Sequence, residues 1–159
     1  MRWTLLLAVL TGCGGPALAE DLLTPSEKEI VAFPDRVEVF RLTDGPIIPG
    51  ARKRIEWQDW PTNGPALVAD TATARELSAI LSDPRSFKPG PPRSSLPRPG
   101  VKVRFMRNLH CVVAMLAFDS RGATFYGKGQ QADFDPSAVA LTRLIKKLFP
   151  NDPVIQSLK

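Results

Sequence analysis

Apolar residues recur along this chain with two different periods. Leu141, Leu144, Ile145 and Leu148 stand at i, i+3, i+4 and i+7, with Arg143, Lys146 and Lys147 on the other side. That spacing predicts an amphipathic helix. Asp135 would cap it, with Pro136 at its first position and Pro150 beyond its end. The basic residues fall near the C-terminus, where the helix dipole favours positive charge. A second helix is predicted from Asp70 to Asp83, with Ala74, Leu77, Ile80 and Leu81 as its apolar stripe. Thr73-Ala74-Arg75-Glu76 offers it a capping box, and Pro84 stops it. Thr24-Pro25-Ser26-Glu27 opens a shorter helix that Pro34 ends after Ala32.

The other period is two. Arg36 to Leu42 reads as a strand, with Val37 and Val39 facing one way and Glu38, Phe40 and Leu42 the other. Arg52 to Trp57 is a candidate second strand, ended by Trp60-Pro61 and Asn63-Gly64-Pro65. Val101 to Phe105, His110 to Phe118 and Ala123 to Tyr126 are the central strands. The middle one, Cys111 to Phe118, is a nearly unbroken apolar run and predicts a strand covered on both faces. Asp119-Ser120-Arg121-Gly122 forms a hairpin turn between the last two. Six prolines between residues 84 and 100 make an extended loop. The expected fold is α+β: a mostly antiparallel sheet of four or five strands packed against two main helices.

The first 19 residues read as an export signal. Arg2 precedes the apolar run Trp3 to Leu10, small residues follow, and the first acids are Glu20 and Asp21. Ala17-Leu18-Ala19 fits ordinary signal peptidase and leaves residues 20–159 as one small α+β domain carrying the proline-rich basic loop 84–100. The alternative is a lipoprotein signal over 1–12 with a lipidated Cys13, because Leu10-Thr11-Gly12-Cys13 resembles a lipobox. Both readings export the chain from a bacterium, to the periplasm or medium or to a lipid anchor at the membrane surface. No apolar run approaches the about 20 residues of a spanning helix, so no transmembrane helix is expected in the mature chain. Either cut leaves Cys111 as the one thiol without an intrachain partner. It is expected to lie buried in the central strand.

At 159 residues, 43% hydrophobic and 23% charged, the chain is sized for one ordinary soluble domain. Sixteen prolines exclude a helical bundle throughout. One histidine and two cysteines leave too few ligands for a typical zinc site, and no D-x-D-x-D-G loop offers one for calcium. His110 and Cys111 are strand neighbours and point to opposite faces, so they cannot pair as base and nucleophile. Gly122 to Lys128 has the spacing of a phosphate-binding loop, yet Gly129 stands where the magnesium-binding hydroxyl belongs and the intervening residues read as strand. No catalytic residue, metal ligand or cofactor is therefore expected, and the chain reads as non-enzymatic. Trp57 and Trp60 suit either a sugar-stacking pair or packing at a core edge.

Charge adds one feature. Net charge is +5, and from Pro84 to Phe118 there are seven basic residues and no acid. Arg93, Arg98, Arg104 and Arg107 are candidate anion-binding residues on a ribbon spanning 85–107. Only Phe87 and Phe105 accompany them, too few aromatics for base stacking, so nucleic acid is not an expected partner.

Phe87-Lys88-Pro89, Ala117-Phe118-Asp119-Ser120 and Leu148-Phe149-Pro150-Asn151-Asp152 give the C-terminal half a resemblance to a family of small uncharacterised exported bacterial proteins. Cysteines expected of that family are replaced here by Ser86, Ala117 and Ser120. The resemblance thus implies export, supplies no catalytic residue and removes any thiol-cluster role. Three functions remain open: an exported non-catalytic domain that binds an envelope protein, an electrostatic binder of anionic envelope polymer or lipid through residues 85–107, and an enzyme with an unrecognised site.

Overall fold

The computed structural model describes residues 22–43, 60–89, 100–126 and 130–159. The expected export signal 1–19, Cys13, the expected strand 52–57, most of the loop 84–100, and with them Arg93 and Arg98, lie outside the described residues.

The described residues fold as α+β. A seven-stranded sheet, antiparallel throughout, has the order β2-β1-β4-β5-β6-β7-β3. Its strands are β1 (Arg36–Arg41), β2 (Leu67–Val68), β3 (Lys88–Pro89), β4 (Val101–Arg107), β5 (His110–Ala117), β6 (Gly122–Tyr126) and β7 (Gln130–Asp133). The helices are α1 (Pro25–Ala32), α2 (Thr71–Ser82), α3 (Ala138–Leu148) and the single turn α4 (Pro153–Gln156). The sheet exceeds the expected four or five strands because two-residue strands, β2 and β3, extend it on each side. Three helices have eight residues or more, against the two main ones expected. Among the described residues no helix is long and apolar enough to cross a membrane.

Register divides the sheet into two faces. Val37 and Val39 of β1 lie beside Phe105 and Val103 of β4, which lie beside Val112 and Ala114 of β5. These join Phe125 and the helix residues Val31, Leu77, Leu81, Leu141, Leu144 and Ile145 in one buried cluster. Burial of each such side chain contributes roughly 1.5–3 kcal/mol, so this layer holds the helices on the sheet. The opposite face carries a smaller cluster, Leu42, Val113 and Met115, against which Trp60 and Tyr126 pack. Trp60 therefore sits at a core edge.

Capping differs from expectation at two helices. The Thr24–Glu27 box forms as predicted, with Thr24 Oγ1 accepting from the Glu27 amide at 3.2 Å and Glu27 Oε2 from the Thr24 amide at 2.7 Å. Asp70, not Thr73, caps α2: its Oδ1 accepts from the Thr73 amide at 2.8 Å. Thr73 is instead buried in the first turn and donates its hydroxyl to Asp70 Oδ2 at 3.0 Å. Asp135 does not cap α3, because a 3-10 turn over Asp135–Ser137 intervenes. Its carboxylate is drawn instead to Lys88, at 3.1 Å, and to Arg121.

Cys111 is exposed, contrary to expectation. The β4–β5 hairpin closes on only two residues, Asn108 and Leu109, between the paired Arg107 and His110. Cys111 is thus one residue from the strand's start, on the face opposite the helices, where burial along β5 has not yet begun. Leu109 at the tip is fully exposed.

Candidate functional site

The face of β1 and β4 turned away from the helices is polar and ion-paired. Glu38 is buried beside its register partner Arg104, whose guanidinium donates to Glu38 Oε2 through Nε at 2.9 Å and through Nη2. Arg36 Nη2 reaches the other oxygen at 2.8 Å. Phe40 lies under two cations, with Lys102 Nζ 4.3 Å and Arg104 Cζ 5.3 Å from its ring centre. Burial, and then the charge of Arg104, hold the Lys102 ammonium below its usual value. Glu38 thus pairs with two of the three basic side chains on this half-buried face, Arg36 and Arg104.

Two of the four candidate anion-binding residues can be placed. Arg104 lies on this face, whereas Arg107 lies on the helix side of β4 and donates to Glu29 Oε1 of α1 at 2.8 Å. Three positions apart on a strand, their side chains leave opposite sides of the sheet. The structure does not bring them together, and each already holds a carboxylate. His110 and Cys111 likewise leave opposite faces, and both are exposed. Gly122 to Tyr126 is strand β6, as its composition indicates.

A second region was not legible as a site. Between the C-terminal end of α1, the start of β1, strand β2 and one side of α2 runs a groove of about 550 Å³. Its shape follows from small side chains: α2 turns Thr71, Ala74, Ser78, Ala79 and Ser82 towards it. Phe33, 69% exposed, and Val68, 56% exposed, stand on its rim. Phe33 closes α1 as its C-cap residue, which commits its backbone and leaves its ring outside. Pro34 and Ala69 continue the apolar lining.

Three charged residues line the groove, Asp35, Arg36 and Arg75. Asp35 accepts from the Asn108 amide at 2.7 Å, and Arg36 is paired with Glu38. Arg75 is exposed and among the described residues makes no ion pair or hydrogen bond. Ser78, one turn further along α2, is only 4% exposed and its hydroxyl has no hydrogen-bond partner. A buried helical serine can return its hydroxyl to the carbonyl four residues earlier. Here that carbonyl belongs to Ala74, and the bond is not made.

A second hollow, about 480 Å³, lies at the other end of the molecule around Phe149, Asn151 and Val154. Its base is Arg41, whose Nε donates to Asp152 Oδ2 at 2.9 Å. Both groups are satisfied within the fold, as Arg41 also donates to the carbonyls of Leu42 and Gly100, and Asp152 caps α4.

The chain was compared with protein-family models, curated proteins and solved structures, and matches none of them. The groove's signal in the sequence was weak. Small residues on α2 read equally well as ordinary solvent-facing positions, and a lone Phe-Pro after a helix reads as a stop.

Proposed function

We propose that this chain is an exported, non-catalytic binding domain of the bacterial cell envelope, and that the groove between α1, β1–β2 and α2 is its working surface. The observation that carries the reading is the pairing of exposed apolar side chains, Phe33 and Val68, across one concave site. Large apolar groups rimming a groove mark interaction sites more often than scattered surface residues do. The partly buried and buried acids support a binding role over a chemical one, because they are committed to structure. Glu38 holds two arginines, Asp152 holds Arg41 and caps α4, and Asp135 holds Lys88 and Arg121. Export rests on the charge, apolar run and small residues of positions 1–19.

Intact mass of the chain recovered outside the cytoplasm tests the address, and separates cleavage after Ala19 from lipidation at Cys13. A photo-crosslinking residue at Ala79, in the groove, and another at Val139, exposed on α3, tests the surface. A discrete adduct at Ala79 alone, lost on Phe33→Glu, is expected. Identical adducts at both positions would remove the groove from consideration.

A further inference from the structure

We propose that the groove takes a carboxylic acid with an apolar body, its carboxylate held by Arg75 with the Ser78 hydroxyl beneath. This rests on the groove being the working surface and adds the chemistry of what occupies it. Three charged residues line it, Asp35, Arg36 and Arg75. Arg36 is paired with Glu38, and the Asp35 carboxylate accepts from the Asn108 amide at the β4–β5 turn. Arg75 is the charged side chain of this lining that makes no ion pair or hydrogen bond among the described residues.

Arg75 and Ser78 stand at i and i+3 on α2, which brings their Cβ atoms to within about 5–6 Å on one helix face. A carboxylate is acceptor-only and can take a guanidinium hydrogen bond on one oxygen and a hydroxyl on the other. The Ser78 hydroxyl is a buried donor without an acceptor, a state that is unfavourable until one arrives. Ser78 itself lines the groove, so in the proposed complex its hydroxyl meets the carboxylate there. The apolar body then lies against Phe33, Pro34, Val68 and Ala69. A volume of about 550 Å³ suits a small molecule of that kind. A neutral ligand would leave the guanidinium unanswered, and a cationic one would meet repulsion from it.

Decanoate and decanol are the probes, titrated into the isotope-labelled exported chain while the amide resonances of Val68, Ala69, Ala74 and Ala79 are followed. Decanoate should bind there about ten-fold more tightly than decanol, the difference one charge-assisted hydrogen bond makes. Arg75→Gln should bring decanoate down to the affinity of decanol and leave decanol unchanged. Ser78→Ala should weaken decanoate several-fold, with the spectrum of the free fold retained. Equal affinity of the two probes at these residues would leave the groove as a binding surface and overturn the carboxylate assignment. Decanoate shifting resonances around Lys102 and Arg104 instead, or shifting none, would also overturn it. The crosslinking at Ala79 would then decide the groove by itself.

Discussion

Arg41 and Asp152, 111 positions apart in the chain, meet through a guanidinium–carboxylate hydrogen bond of 2.9 Å. Arg41 ends β1 and Asp152 starts α4, so the contact ties the last helical turn to an early strand of the sheet. Asp152 has two tasks, because its other oxygen accepts from the amides of Val154 and Ile155. Asparagine caps a helix nearly as well as aspartate but carries no charge. Asp152→Asn should thus remove the ion pair alone, at about 1–2 kcal/mol in this largely buried setting, and Asp152→Ala should lose the cap as well, at about 1 kcal/mol more. Urea unfolding of the two variants checks the order. Equal stability of Asp152→Asn and the parent would show the ion pair to be idle.

The same carboxyl gives an acid-side signature. Burial raises it, but the Ile155 amide, the Arg41 guanidinium and the Val154 amide together outweigh that, and it is held below its ordinary value of 3.8. Asp135 is lowered too, first by its hydrogen bond from Arg121 and then by Lys88. A depressed carboxyl contributes stability that is present above the unfolded value and lost as pH falls through the folded one. Unfolding midpoints should therefore be level above about pH 5 and fall below about pH 4. In Asp152→Asn the fall should be shallower. A parallel fall in both would assign the acid sensitivity elsewhere.

On α3, Leu144 is buried in the main cluster whereas Lys146 is partly exposed. Leu144→Asp places an unpaired charge among Leu141, Ile145 and the sheet and should abolish cooperative folding. Lys146→Asp should be mild, within about 1 kcal/mol, and unfavourable in sign because it puts an acid near the negative helix end. Circular dichroism against temperature distinguishes them, and similar effects would mean the wrong face had been assigned.

Cys111 should react with a thiol reagent in the native protein nearly as fast as in urea, since it is exposed. Cys111→Ser should leave stability within about 0.5 kcal/mol of the parent. Labelling that waits for unfolding would show the thiol to be covered.

Asn108 turns the β4–β5 hairpin with φ of 53°, a backbone conformation that asparagine tolerates and β-branched residues do not. Asn108→Gly should be close to neutral, and Asn108→Val should cost about 1–2 kcal/mol. Thermal midpoints that ranked the two variants the other way would show that the turn is not held in this conformation.

Local pattern carried most of the element boundaries. Val101, His110 and Arg36 begin strands where the alternation and the turn residues place them, and α2 runs from Thr71 to Ser82 inside the predicted Asp70–Asp83. Where pattern was silent, it was silent for a reason. The β7 sequence Gln-Gln-Ala-Asp has no apolar alternation, and it pairs because β6 offers it an edge. β2 and β3 are two residues each, below any period. Cys111 was assigned to the core because the apolar run was read as covered from end to end, but it lies on the face away from the helices, where the small cluster of Leu42, Val113 and Met115 does not extend to the turn end of β5. Asp135 looked like a cap by spacing, and long-range basic partners took its carboxylate. The groove depends on how α1 and α2 meet, which neither helix encodes alone.

The sheet order has a temporal meaning. β4 through β7 follow one another as a meander of near neighbours, each strand able to fold back on the last within a few residues. β1 does not belong to that series. It pairs along its whole length, Arg36 beside Met106 to Arg41 beside Val101, with a strand that leaves the ribosome much later. Until β4 arrives, β1 has only the two residues of β2 to pair with, and Glu38 has no Arg104. The early part of the chain thus waits for its later part with one edge of its apolar strand open along the whole length that β4 will cover. Any factor that guards the nascent polypeptide has its clearest client in residues 36–41.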